Sequence, residues 1–206
     1  MEKNKFLSHT ISLRYLAIVG LLSALTYLLY LPILRIPVIL FLEINLSEIV
    51  MFIGGFSLGP IAAIFLGGFR FLFSLPFSTT GGIGEFADLI YSLVFVLPGA
   101  WLYQRSRTKQ TAMVGFIVGF LLQITTTSLM NALWITDLYL ELFLNITPEA
   151  FLGYIQSAIP QVTNPYWSLV LWMYIPFNTF KNMVIIALTL ISYKRLHRLI
   201  KQFKLN

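Results

Sequence analysis

Apolar residues come in long unbroken runs along this chain, not in the alternation of a half-exposed strand or the stripe of a surface helix. The first run covers residues 15–34 and is bracketed by Arg14 and Arg35. Residues 47–58 and 60–75 follow, parted by Gly59-Pro60, and then 83–103, 111–135 and 166–193. About 20 apolar residues carry a helix across the hydrocarbon of a bilayer. The second and third runs fall short of that length, so they are predicted to form a tight helical hairpin, tilted or buried among the others. The pattern as a whole predicts an all-α fold. One integral membrane domain spans residues 1–206 as a bundle of six transmembrane helices, the last continuing as a basic amphipathic tail to Lys204.

Composition agrees with this reading. Of 206 residues, 58% are hydrophobic and 11% charged, against roughly a quarter charged in an ordinary soluble domain. A water-soluble globule of this make-up would leave large apolar patches bare. With no cysteine and two histidines, His9 and His197, the chain offers no disulfide framework and no thiolate or zinc chemistry. Neither a metal nor a cofactor is expected. The net charge of +6 would suit nucleic acid, but its placement argues otherwise. Lys3, Lys5 and Arg14 precede the first run, Arg105, Arg107 and Lys109 lie between the fourth and fifth, and Lys194, Arg195, Arg198, Lys201 and Lys204 follow the sixth. Eleven of the fourteen basic residues thus share one side of a six-span bundle, while residues 136–165 carry Asp137, Glu141 and Glu149 and no basic residue. Basic loops stay cytoplasmic. Both termini are therefore predicted in the cytoplasm, and the partner of this charge is the lipid bilayer of the cell membrane, not nucleic acid.

A charge at bilayer depth is costly and normally faces a protein interior or an aqueous cavity. Glu43, Glu48, Arg70, Glu85 and Asp88 map to the outer half of the predicted bundle, Glu43 near the surface yet expected to be buried. Arg70 paired with Glu85 or Asp88, to hold two helices together, is one reading of these groups. Lys181 maps nearer mid-depth, after Ile175-Pro176-Phe177-Asn178; no acid is assigned to its level, so it is read as functional. Pro176 is expected to kink its helix and free a carbonyl. Gln123, Asn131 and Asn178 add neutral hydrogen-bonding groups. Trp134, Trp167, Trp172, Tyr166 and Tyr174 are candidates to wall a flat ligand, an interfacial aromatic belt being the other reading of Tyr166 and Trp167. Residues 36–45 and 136–165, the latter with a short helix expected at about 148–158, read as ordered caps. The sum is a pocket in the outer half of the bundle, closed above by two loops.

Some chemistry is excluded. Gly55-Phe56-Ser57-Leu58-Gly59 spells G-x-S-x-G, but a nucleophile elbow needs a strand–turn–helix and a histidine within reach, and neither is predicted here. No G-x-x-x-x-G-K-[ST] loop exists, so ATP-driven work would need another subunit. Gly20 and Ala24, with Ala17 nearby, and Gly115 and Gly119 form small-residue ridges that serve either internal packing or docking to a partner. An intramembrane enzyme using Glu85 and Asp88 as acid–base groups, and an assembly protein whose charges only pack, are the competing classes.

Several strings carry a resemblance. Leu46-Ser47-Glu48 followed by Phe52-Ile53-Gly54-Gly55-Phe56-Ser57-Leu58-Gly59-Pro60, then Ser78-Thr79-Thr80-Gly81-Gly82-Ile83-Gly84-Glu85-Phe86-Ala87-Asp88, then Ile175-Pro176-Phe177-Asn178 with Lys181, resemble the S-components of energy-coupling-factor (ECF) vitamin transporters in its riboflavin-type branch. Asn131 falls where that branch often has an asparagine. The resemblance implies a non-enzymatic subunit of six membrane helices that binds a vitamin from outside and associates with a membrane-spanning coupling subunit and two cytoplasmic ATPases. It implies that small residues of the first helix, here Ala17, Gly20 and Ala24, face that coupling subunit. It also implies that the first outer loop and helices four to six surround the ligand, with Asn131 and Lys181 as leading contacts. The candidate binding set is Glu43, Asn45, Arg70, Glu85, Asp88, Asn131, Trp134, Asn178 and Lys181. Two departures bear on the substrate. Ile44-Asn45-Leu46-Ser47-Glu48 stands where riboflavin relatives often have Asp-x-Ser-Asp, and Phe69-Arg70 where they frequently have Lys-Asn. Arg70 suits a carboxylate or phosphate, so pantothenate, flavin mononucleotide and hydroxymethylpyrimidine stand as alternatives to riboflavin.

Overall fold

In the computed structural model the described residues are 13–39, 42–141 and 145–204, with the side chains of 139 and 194–204 left aside. Lys3, Lys5, His9 and the side chains of the basic tail lie outside the described residues. The elements run α1 (Leu13–Leu28), a 3-10 turn (Pro32–Leu34), β1 (Ile36–Ile39), β2 (Leu42–Ile44), α2 (Ser47–Leu58), α3 (Pro60–Ser74), a second 3-10 turn (Leu75–Phe77), α4 (Ile83–Ser106) and α5 (Lys109–Met130). A π-helical stretch (Asn131–Ile135) joins α5 to α6 (Thr136–Tyr139); α7 (Pro148–Ala158) follows, then α8 (Trp167–Leu169), a second π stretch (Val170–Tyr174) and α9 (Ile175–Lys204).

Four helical stretches among the described residues are long and apolar enough to cross a membrane: Pro60–Phe77, Ile83–Ser106, Lys109–Leu138 and Trp167–Tyr193; Leu13–Leu28 and Ser47–Leu58 are shorter apolar helices. The first run was expected to be helical to residue 34. It stops at Leu28 because Pro32 has no amide proton to give and disfavours helix in the residue before it. The helix α2 has only 12 residues, but all except Leu58 are buried, as a helix that is apolar all round requires. Gly59, at φ +107°, turns the chain into α3, whose first residue is Pro60. That break lies where the sequence placed it.

The helical fold is as expected, with one short strand pair added to it. Strands β1 and β2 run antiparallel, pairing Ile36 with Ile44, Pro37 with Glu43 and Ile39 with Leu42, and are called the hairpin below. Three β-branched residues around Pro37 favour extended backbone over helix. Its open end is tied by Arg35 to Glu43 at 3.4 Å.

One apolar cluster fills the bundle, centred on Phe52, whose ring lies 4.9 Å from both Phe95 and Phe116. There α4 and α5 nearly touch: a Cβ on Gly115 would lie 2.5 Å from Gly99 Cα, and one on Gly119 would overlap the carbonyl of Phe95. A second cluster sits at the end of the bundle away from the α4–α5 turn. Phe151, Ile155, Ile159 and Val162 pack there on Leu169, Val170, Met173 and Tyr174, with Ile39 and Leu42 of the hairpin against them. The two loop segments read as caps therefore share one apolar cluster.

Candidate functional site

Beneath this cap, helices that are remote in sequence bring their polar side chains together. Arg70 of α3 is 1% exposed. Its Nη1 donates to Ser47 Oγ at 2.6 Å, and Ser47 in turn donates to Asn45 Oδ1 at 2.6 Å. Its Nη2 donates to Ser92 Oγ at 3.1 Å and to the Asp88 carbonyl at 3.2 Å, and lies 3.2 Å from Asp88 Oδ2. The guanidinium also stands 4.5 Å from the ring centre of buried Tyr30, over which Arg35 lies at 4.4 Å. Ser92 Oγ in turn donates to Glu48 Oε1 at 3.0 Å, and Lys181 Nζ donates to that oxygen at 2.9 Å. The result is one continuous chain, Lys181–Glu48–Ser92–Arg70–Asp88, in which two cations meet two carboxylates. Such pairing is what allows charge to remain inside an apolar bundle, although Glu48 Oε2 is buried without a hydrogen-bond partner among the described residues.

One expectation changes, and one is narrowed to a single partner. Lys181 was read as having no acid at its level, yet Glu48, 133 positions away, holds it. The cause is the depth at which α2 begins: this short helix starts below the hairpin, so its first-turn carboxylate reaches the level of Lys181. For Arg70 the partner is Asp88. Glu85 instead closes the loop that opens α4, accepting from Ser78 Oγ at 2.6 Å and Thr80 Oγ1 at 3.0 Å. Those two oxygens accept from the amides of Gly82 and Gly84. They satisfy donors that the helix start leaves free, and Gly82, at φ +91°, is the residue that permits the turn.

A second, neutral network joins α5 to α9. Gln123 Nε2 donates to Asn178 Oδ1 at 3.0 Å, Asn182 Nδ2 to Gln123 Oε1 at 2.8 Å, and Asn178 Nδ2 to the Tyr174 carbonyl at 2.8 Å. Asn131 makes the matching bond to the Thr127 carbonyl at 2.8 Å and also donates to Tyr91 OH at 3.1 Å. Both asparagines adjoin π-helical turns, Asn131 beginning one and Asn178 following the other. Such bulges redirect side chains and often mark functional positions. The irregular backbone expected at Pro176 is this π stretch, just ahead of the proline.

Not every candidate joins these networks. Glu43 has its side chain 42% exposed, paired with Arg35 on the hairpin, and is not the buried acid the sequence suggested. Trp134 is 63% exposed, and Trp167 and Trp172 are exposed as well, which fits an interfacial belt better than a pocket wall. Tyr174 is buried. Ala17, Gly20 and Ala24 lie on the exposed side of α1, and a Cβ on Gly20 would meet nothing within 4 Å. The two small-residue ridges thus have different fates: Gly115 and Gly119 pack inside the chain, while Gly20 and Ala24 face outward. Ser92, Asn182, Tyr91 and Tyr30 did not figure among the candidates. The spacing of Asn182 four residues after Asn178, on one helical face, was the available signal.

The family model for the ECF transporter substrate-specific component matches residues 14–193. The riboflavin transporter RibU of Staphylococcus aureus (strain TCH60) is 23% identical over 185 residues, 89% of this chain and 90% of that protein. A solved structure of the S component of a bacterial ECF transporter superimposes with a TM-score of 0.66 at 24% identity, over 90% of this chain and 96% of the other. That likeness is one of fold.

Proposed function

Since the chain belongs to the family of ECF transporter substrate-specific components, we propose that it captures riboflavin from outside the cell and delivers it for ATP-driven uptake. The observation that carries this reading is the set of buried polar side chains Asn131, Asn178 and Lys181, in a chain resembling a riboflavin transporter over nine-tenths of its length. Six spans, both termini in the cytoplasm and a pocket in the outer half form the membrane arrangement in this proposal. The short α2 counts as a span because its neighbours, not lipid, cover it. Residues 1–206 act as one domain in the cell membrane, without catalysis and without a cofactor of its own.

Asn131, Asn178 and Lys181 are the leading contacts. An ammonium has three protons to donate, and Glu48 takes one of them. Asn45, Glu85 and Asp88 serve around the mouth, with Glu43 and Trp134 contributing only at its rim. Arg70 has both terminal nitrogens engaged inside the protein, which favours a neutral vitamin over flavin mononucleotide or pantothenate, whose anionic groups would need that guanidinium. Hydroxymethylpyrimidine stays an alternative, uncharged as it is. The partners are a membrane-spanning coupling subunit, met through Ala17, Gly20 and Ala24 of α1, and two cytoplasmic ATPases.

Fluorescence titration of purified protein tests this. Stoichiometric quenching of riboflavin is expected, and Lys181→Met should weaken it by at least tenfold, as loss of a charge-assisted hydrogen bond predicts. Absence of riboflavin binding, together with no vitamin found by mass spectrometry in gently purified material, would refute the assignment.

A further inference from the structure

One hollow on the molecule lies away from the polar networks. It is an open groove of about 490 Å³ between α3, α4 and α5, within the roughly 300–1,000 Å³ usual for ligand sites. Half-buried Leu93 and Leu97 of α4 line it together with exposed Ile61 and Ile64 of α3 and Leu122 of α5. Pro98 lies in the same wall, unable to donate to the Val94 carbonyl. Trp101 closes one end, and over its ring, at 3.6 Å from the centroid, lies the guanidinium of Arg105. Arg105 is exposed, and among the described residues no carboxylate forms a salt bridge with it. Arg107 follows in the turn before α5, and Lys109 is the first residue of that helix.

We propose that this groove is a site for one anionic phospholipid, its acyl chain along Leu93 and Leu97 and its phosphate on Arg105. Direction and length agree. From Trp101 to Leu93 is eight helical residues, about 12 Å, or close to one leaflet of a core about 30 Å thick. Pro60 starts α3 and Lys109 starts α5 at the basic end, so all three helices present the same leaflet to the groove. Charge selects the headgroup. A basic residue at the membrane surface is worth about fivefold in affinity for an anionic over a zwitterionic lipid, and the Trp101 face holds the Arg105 guanidinium at the groove's end without neutralising it. The site is independent of which vitamin the protein carries.

The full-length protein would be reconstituted in nanodiscs of equal phosphatidylglycerol and phosphatidylcholine, then examined by native mass spectrometry. Wild type should retain one phosphatidylglycerol in preference to phosphatidylcholine. Arg105→Gln should lower that preference about fivefold, while Arg105→Lys keeps it. Ile64→Trp, which fills the groove, should lose the retained lipid whatever its headgroup, with riboflavin quenching and Tm reporting that each variant is folded. Equal retention of the two lipids by wild type, or an unchanged preference in Arg105→Gln, would overturn the proposal. So would an Ile64→Trp variant that keeps its lipid but no longer copurifies with the coupling subunit, because the groove would then belong to a protein partner.

Discussion

Lys181 and Glu48 show how little of a buried ion pair is visible in sequence and how much depends on it. Each alone is an anomaly in an apolar run; together they are a 2.9 Å contact with both side chains almost fully enclosed. Removing one member strands the other, a loss of about 3–5 kcal/mol, whereas removing both can be nearly neutral. Glu48→Gln should therefore lower the unfolding midpoint in detergent by more than the double variant Glu48→Gln/Lys181→Met does. Additive losses in such a double-mutant cycle would show that the two charges do not depend on each other. The presence of intramembrane charge was legible in single residues. Its pairing was not, because partner choice depends on the depth at which α2 begins, and no local pattern encodes that depth. The neutral amides were harder still: Asn182 carries no charge to mark it, although it completes the Gln123–Asn178 chain.

Elements were legible where the backbone chemistry of one or two residues decides them. Gly59-Pro60 ends α2 and starts α3, and Pro148 opens α7, with the Thr147 hydroxyl accepting from the Ala150 amide. The two strands at residues 36–39 and 42–44 were not read as strands because apolar residues run through β1 without alternation, exposed ones included, and only Ile39 and Leu42 reach the cap cluster. The glycine ridges show the same limit from another side: the four-residue spacing is identical on α1 and α5, and only packing separates them. This separation can be measured. Gly119→Ala should destabilise the protein by about 1–3 kcal/mol, the usual cost of overpacking, because its Cβ meets the Phe95 carbonyl on α4. Gly20→Ala, into open space, should leave Tm unchanged while weakening copurification with the coupling subunit. Equal Tm losses for the two would mean that both ridges pack internally.

At the scale of the whole molecule, the cap and the bundle are distinct bodies of apolar contact. The bundle core is built on Phe52, Phe95 and Phe116, whereas the cap cluster ties α7 to the π stretch ahead of α9 and to the hairpin. A ligand held beneath the cap must pass it, so the cap has to open without disturbing the bundle, and elements that move in this way come from the less stable part of a fold. The hairpin meets that description, with three of its four β1 residues exposed and its open end tied by one partly exposed ion pair. Hydrogen exchange read by peptide mass spectrometry should find residues 36–44 and 148–158 exchanging faster than α2 and α4 in the vitamin-free protein. Riboflavin should slow exchange in both cap segments and leave α2 unchanged, since a ligand stabilises the closed state only through contacts that state alone provides. Protection spread evenly over the bundle would point instead to a vitamin that rigidifies the whole domain. Protection confined to α7 would assign the opening to that helix and make the hairpin a fixed wall.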